Sequence, residues 1–290
     1  MSIILVVEQL LNGLQLGLML FLTAAGLTLV FGIMDMLNLS HGSLFMIGAY
    51  AGATVIASTG NVALGVLAAL AVTAAVGFIL ERLLLRHLYG RSHLDQVLVT
   101  YGVVLVVNEL VRILYGPVPL AMSVPDTLSG AVPILPGLTY PAYRLAVIAI
   151  GLAVSVVLWW TVTRTRGGMR VRAGANKRDV ASALGIDVGA VFSVVFAAGA
   201  ALAGLAGLMS GPISAVQVGM GEPMLVLALV VTVIGGVGSV KGAFYAALMI
   251  GMADTFGRVM LPAALGSMAI FILMALVLVW RPRGLFPVLT

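Results

Sequence analysis

Residues 10–33 read LLNGLQLGLMLFLTAAGLTLVFGI, without one charged side chain. A helix that crosses a bilayer needs about 20 mainly apolar residues at 1.5 Å rise each, so this stretch spans by itself. The rest of the chain agrees. Of its 290 residues 62% are hydrophobic and only 9% are charged, whereas a soluble globular chain is about 45–50% apolar and about 25% charged. There is too little polar surface to coat a water-exposed domain, and the chain is read as an integral membrane protein. No stretch is polar enough to be a separate soluble domain, so residues 1–290 are expected to form a single transmembrane domain. Met1 to Gln9 carries Glu8 and no Lys or Arg, so the basic flank of a secretory signal is missing and the first span is expected to stay in the mature protein. The absence of cysteine excludes disulfide frameworks, thiolate metal sites and cysteine nucleophiles.

Working outward from that first span, further spans are expected at Leu44 to Ala57, Val62 to Leu80, Val97 to Tyr115, Leu145 to Val162, Val188 to Met209 and Ala264 to Trp280. Met224 to Gly257 is also apolar, but Gly235-Gly236-Val237-Gly238-Ser239-Val240-Lys241-Gly242 interrupts it. This predicts a broken helix or two short ones. The fold class is therefore all-α and polytopic, with eight to nine transmembrane helices and two broken or re-entrant segments.

Basic residues orient such a chain, because retained Lys and Arg mark the cytoplasmic side. Eleven of the fifteen fall in three places: Arg82, Arg86 and Arg91; the six between Arg164 and Arg178; and Arg281 with Arg283. All three are expected to be cytoplasmic, which puts the C-terminus inside. The net charge of +5 thus reflects loop bias and does not indicate nucleic acid. The stretch Gly116 to Tyr143 has six prolines and no Lys or Arg, and is expected to be the large outer loop. Alternation of sides gives nine crossings with the N-terminus outside if the glycine break is a turn, and fewer if it lies at mid-membrane.

The segments His41-Gly42-Ser43-Leu44-Phe45 and Lys241-Gly242-Ala243-Phe244-Tyr245 each follow an apolar helix and a short break. Unwound backbone within a membrane is tolerated only inside protein or beside a water-filled cavity, so paired breaks point to a solute path, or else to ordinary helix turns. Polar residues inside the spans are few. Glu8, Asn12 and Gln15 share a helical face with Met19 and Thr23, which lines a lumen, contacts a partner, or hydrogen-bonds between helices. Glu109 with Arg112, and Asp254 with Arg258, have the spacing of ion pairs along one helix. Gly13 with Gly17, and Gly48 with Gly52, are spaced for close helix packing.

Catalytic motifs are not found. A phosphate-binding loop needs Gly directly before its Lys and Ser or Thr directly after, and Lys241 stands between Val240 and Gly242. His41 has no second ligand at metal spacing unless Asp35 is brought near, so no metal site is expected. The loop of residues 164–187 is basic, and Asn176 as N-cap, Val180, Ala183 and Leu184 as stripe, and Gly185 as C-cap predict a short amphipathic helix within it. Such a helix suits either the anionic leaflet or a groove on a partner protein.

The run Asn12-Gly13-Leu14, Gly26 to Gly32, Leu37 to Gly42 and Gly48-Ala49-Tyr50, followed by Ala181 to Ile186, Ala200 to Gly207 and Gly235 to Ser239 with Gly242-Ala243, resembles the branched-chain amino acid permeases of ATP-binding-cassette (ABC) importers, the LivH-like group. The resemblance covers nearly the whole chain. It implies a permease subunit that forms half of an alternating-access pathway, with no catalytic residue or cofactor of its own. The implied partners are a second related permease, two cytoplasmic ATPases that bind ATP and Mg, and an extracytoplasmic solute-binding protein. The setting it implies is the bacterial inner membrane.

By that resemblance the 174–186 segment is the coupling helix, with Ala181, Leu184 and Gly185 as the contact core and Arg178 and Asp179 at its rim. Asn12, Gln15, Asn38, Ser40, His41, Gly42, Gly236, Gly238, Ser239 and Gly242 are the candidate pathway residues. The sequence departs from the family pattern at Gly221-Glu222-Pro223 and at Lys241, beside the second break. The solute is therefore open among leucine-like and other amino acids, amides and urea, with a sugar of the ribose-type family as the nearest alternative. An ion-coupled secondary transporter would need a proton or Na⁺ relay, for which Glu8, Asp35 and His41 are the available groups.

Overall fold

The computed structural model describes residues 3–176 and 178–286, with the side chains of 175–179 outside that description. The chain runs α1 (Ile3–Met34), α2 (His41–Thr59), α3 (Val62–Leu83), α4 (His93–Tyr115), β1 (Ala131–Leu135), β2 (Leu138–Pro141), α5 (Ala142–Arg164), α6 (Arg166–Asn176), α7 (Arg178–Ala183), α8 (Val188–Ser214), α9 (Gly221–Gly235), α10 (Val240–Met260) and α11 (Ala263–Trp280). Among the described residues seven helices, α1 to α5, α8 and α11, are long and apolar enough to cross a membrane, and α9 and α10 are a further apolar pair with a bend of 119° between them. The expected all-α, multi-pass architecture is what folds.

Polar caps mark where the helices begin. Asn61 accepts from the amides of Ala63 and Leu64, Ser92 from Asp95, Asp187 from Ala190 and Ser239 from Gly242, so each of these starts has a satisfied N–H. The long helices α1 and α8 form the centre, and α2, α3, α9 and α10 pack around them. Small residues set the approach: Gly48 meets Gly204 backbone to backbone, and Gly17 meets Ala247 and Leu248. Without a hydrophobic drive between helices in lipid, such close contact is what dispersion needs.

Two features depart from the sequence reading. The proline-rich loop contains an antiparallel hairpin, β1 with β2, turned at Pro136-Gly137 where Gly137 has φ +87°; proline before a positive-φ glycine favours that turn. The basic loop is more helical than expected. Asn176 is the last residue of α6 and not an N-cap, and α7 is a short helix of six residues. Its end is as predicted: Ile186 N–H bonds the Ala181 carbonyl and Gly185 N–H that of Ser182, with Gly185 at φ +83°, the Schellman closure.

Candidate translocation site

The helix α1 serves as a ruler for depth. It ends at Met34, and the chain then turns at Asp35, whose φ is +51°, and runs back along α1 as an extended segment before α2 begins. That segment is buried, and α4 supplies its hydrogen bonds. Leu37 N–H donates to Gln96 Oε1 at 3.2 Å and Leu39 N–H to Thr100 Oγ1 at 3.2 Å. Asn38 Oδ1 accepts from the Ser40 amide at 3.0 Å and from Ser40 Oγ at 2.5 Å. His41 Nε2 lies 3.0 Å from the Thr23 carbonyl; a carbonyl only accepts, so Nε2 carries the proton. Thr23 lies about 16 Å up α1 from Met34, at 1.5 Å per residue, so α2 starts near half-depth.

A second chain reversal repeats the first. The helix α8 ends at Ser214, Ala215 takes φ +58°, and residues 215–220 run back against α8 before α9 begins at Gly221. Val216 exchanges both backbone hydrogen bonds with Leu120, at 3.0 and 2.7 Å. Asp35 and Ala215 are the two non-glycine residues with positive φ among those described, and each opens a return segment. The two half-helices then meet: a Cβ on Gly42 would stand 2.6 Å from the Gly221 carbonyl oxygen, and Gly219 N–H points to Met46 Sδ at 3.3 Å. The N-termini of α2 and α9 therefore converge in a buried, closely packed junction, and the dipoles of the two helices direct positive potential at it.

The predicted pathway residues fall at three levels of α1. Asn38, Ser40, His41 and Gly42 lie together at the junction, all but shielded, with Asn38 and His41 each 1% exposed. Asn38 Nδ2, His41 Nδ1 and Ser43 Oγ have no hydrogen-bond partner there. Asn12 lies at the hairpin end, where it accepts from Tyr140 OH at 2.9 Å and Arg144 Nη1 at 2.7 Å. Burial raises the Tyr140 hydroxyl above its ordinary pKa, opposed by Arg144. Gln15 is buried and turned to Met19 Sδ at 3.5 Å. Gly236, Gly238, Ser239 and Gly242 lie at the opposite end, where Gly32 of α1 abuts Gly238. They form the sharp turn between α9 and α10, so the sequence likeness of 41–45 to 241–245 is not a spatial correspondence. The counterpart of Gly42 is Gly221.

Sequence reasoning missed the 215–220 return and the residue after Gly221. Glu222 is exposed and its Oε1 accepts from Asn108 Nδ2 of α4 at 2.7 Å. The departure from the family pattern at residues 221–223 was the one signal of it. The expected ion pairs form, Glu109 with Arg112 at 3.4 Å and Asp254 with Arg258 at 2.9 Å. In the basic loop Ala181 is buried while Leu184 is 77% exposed, so of the expected contact core Leu184 and the exposed Gly185 face outward and Ala181 does not. Arg178 and Asp179 have side chains outside the described residues. Among those described, no three His, Asp or Glu side chains gather as a ligand set.

Discontinuous helices whose N-termini meet at half-depth, on a polytopic all-α frame, define the class of membrane permeases with broken-helix sites. Comparison with known proteins makes the class specific. The model of the family described as branched-chain amino acid transport system / permease component matches residues 9–278, and the chain belongs to that family. It is 30% identical to the high-affinity branched-chain amino acid transport system permease protein BraD of Pseudomonas aeruginosa, and 28% identical to LivH of Escherichia coli K12. Each match covers 96% of this chain and 94% of the relative. No solved structure gives a significant match.

Proposed function

We propose that this chain is one permease subunit of an ABC importer for branched-chain or chemically related amino acids, and that it forms half of the translocation pathway. It works with a second related permease, two cytoplasmic ATPases that hold ATP and Mg, and an extracytoplasmic binding protein, in the bacterial inner membrane with its C-terminus cytoplasmic. The observation that carries this reading is the junction of α2 and α9. An amino acid crossing a bilayer must have both charges compensated, and two helix N-termini at half-depth supply the fixed positive potential its carboxylate needs.

Access to that junction alternates. The loaded binding protein docks on the hairpin end, around residues 116–143. Nucleotide-driven closure of the ATPases reaches the basic end through residues 164–187, with Leu184 and Gly185 in the ATPase groove. That end joins the junction through α8, which begins directly after the loop. The supporting family match concerns permease components, in keeping with a chain that contributes no ATP chemistry.

The test is uptake of radiolabelled leucine into vesicles that hold the assembled transporter and internal ATP, with binding protein outside. Uptake should require ATP and binding protein and persist after the proton gradient is collapsed. Uptake abolished by that collapse would replace this reading with an ion-coupled one.

A further inference from the structure

Of the six carboxylates on the membrane helices, Glu81 is buried and accepts from the Tyr89 and Ser193 hydroxyls, and Glu109, Asp254 and Glu222 invite comparison. Glu109 and Asp254 each have an arginine one turn away on their own helix. Glu222 has none: its neighbour is the neutral amide of Asn108 at 2.7 Å, and among the described residues no Lys, Arg or His forms an ion pair with it. It is nevertheless exposed on the surface of the single chain. Asn108 lies fifteen residues past the start of α4 and seven before its end, about 22 Å and about 10 Å away at 1.5 Å per residue, which places the pair in the outer third of a hydrocarbon core of about 30 Å. An ionised carboxylate at that depth does not face lipid; it faces a water-filled lumen or another protein surface.

An acidic residue in the first turn complements the helix dipole, and Glu222 does so for α9. That role needs no partner on another helix, whereas the Asn108 amide engages Oε1 and, among the described residues, no hydrogen bond reaches Oε2. Glu222 directly follows Gly221, the residue that packs on Gly42 where the N-termini of α2 and α9 meet, and its own side chain is exposed beside that junction. A fixed negative group beside a fixed positive potential is the complement of a zwitterion.

We propose that Glu222, oriented by Asn108, is the pathway's counter-charge for the ammonium group of the solute. The inference rests on the importer reading above and adds a specificity-determining residue to it.

The experiment uses the complete transporter in vesicles, with saturating leucine-loaded binding protein, and compares wild type with Glu222→Gln and Glu222→Asp. Glutamine keeps an acceptor for Asn108 and loses the charge. Its uptake rate should fall by about tenfold, the scale of one lost charge-assisted hydrogen bond. ATPase stimulation by the binding protein and recovery of the second permease on purification should stay at wild-type levels, and aspartate should restore most of the uptake. Wild-type uptake by Glu222→Gln overturns the proposal. So does failure of that variant to retain the second permease, which would make Glu222 an intersubunit contact. Absence of ATP-driven leucine uptake in wild type is a different result, and removes the importer reading itself.

Discussion

Gly42 and Gly221 bring the first turns of two half-helices into backbone contact, with room for no side chain between them: a Cβ on Gly42 would stand 2.6 Å from the Gly221 carbonyl oxygen and 3.0 Å from Leu225 Cβ. The neighbour on each side is backbone or a buried side chain, so relief requires the helices to part. Gly42→Ala or Gly221→Ala should therefore destabilise by roughly 1–3 kcal/mol, as overpacking does. Gly102 is the control, since a Cβ there meets nothing within 4 Å, and Gly102→Ala in the interior of α4 should leave stability equal or slightly raised. Thermal unfolding in detergent separates the two; equal melting temperatures would mean that the junction is looser than described.

The short helix α7 and the residue that follows it place opposite demands on two apolar positions three residues apart. Ala181 is buried, while Leu184 is 77% exposed just before the Gly185 cap. Leu184→Asp should leave the permease folded, with an unchanged melting temperature, and abolish uptake by preventing engagement of the ATPases. Ala181→Asp buries an unpaired carboxylate, a change that costs several kcal/mol, and should lower the melting temperature itself. Normal uptake by Leu184→Asp would remove the coupling role from this segment.

Legibility in the sequence followed hydropathy closely and geometry poorly. The spans α1 to α5, α8 and α11 stand out because lipid demands a long apolar run, whereas Asn176, the N-cap expected in the basic loop, lies at the end of α6. The segment of residues 215–220 reads AVQVGM, apolar enough to pass as helix, and only its long-range bridge to Leu120 reveals a reversal. The glycine-rich 235–242 has the louder local signal, yet it makes a turn at the basic end. Half the junction was readable, at 38–42, because Asn, Ser and His are conspicuous in an apolar chain. The other half rests on Gly221, whose need for close approach depends on a residue 179 positions away.

Asn12 shows how a pathway candidate becomes an anchor. Its Oδ1 accepts from Tyr140 OH at 2.9 Å and Arg144 Nη1 at 2.7 Å, which ties α1 to the hairpin and to the first turn of α5. Asn12→Ala should cost about 1–3 kcal/mol, because one of the lost bonds has a charged donor. In a cycle with Tyr140→Phe the two effects should fall short of additive, since both remove the same bond. The functional sign should be weaker docking of the binding protein, with transport at saturating binding protein close to normal. A tenfold loss at saturation would return Asn12 to the pathway.

The turn that ends α9 is held from outside by the segment after α11. Leu285 N–H donates to the Ile234 carbonyl at 2.8 Å and Phe286 N–H to that of Gly235 at 3.1 Å, so carbonyls that a helix end leaves orphaned are paired by distant backbone. The Phe286 ring lies 5.2 Å from Lys241 Nζ and 5.4 Å from the Tyr245 ring. Ending the chain after Arg283 should therefore lower stability by an amount on the order of 2–6 kcal/mol if both carbonyls stay dry, at roughly 1–3 kcal/mol each. Gly284→Val should reproduce much of the loss with the segment still present, because Gly284 has φ +81° and a Cβ there would stand 2.6 Å from Gly236 N. Phe286→Ala keeps both backbone bonds and loses only ring contacts, so its effect should be clearly smaller. Measured by thermal unfolding in detergent, that order identifies backbone pairing as what the segment contributes. If Phe286→Ala proves as damaging as truncation, the ring contacts hold the turn and the backbone bonds do not.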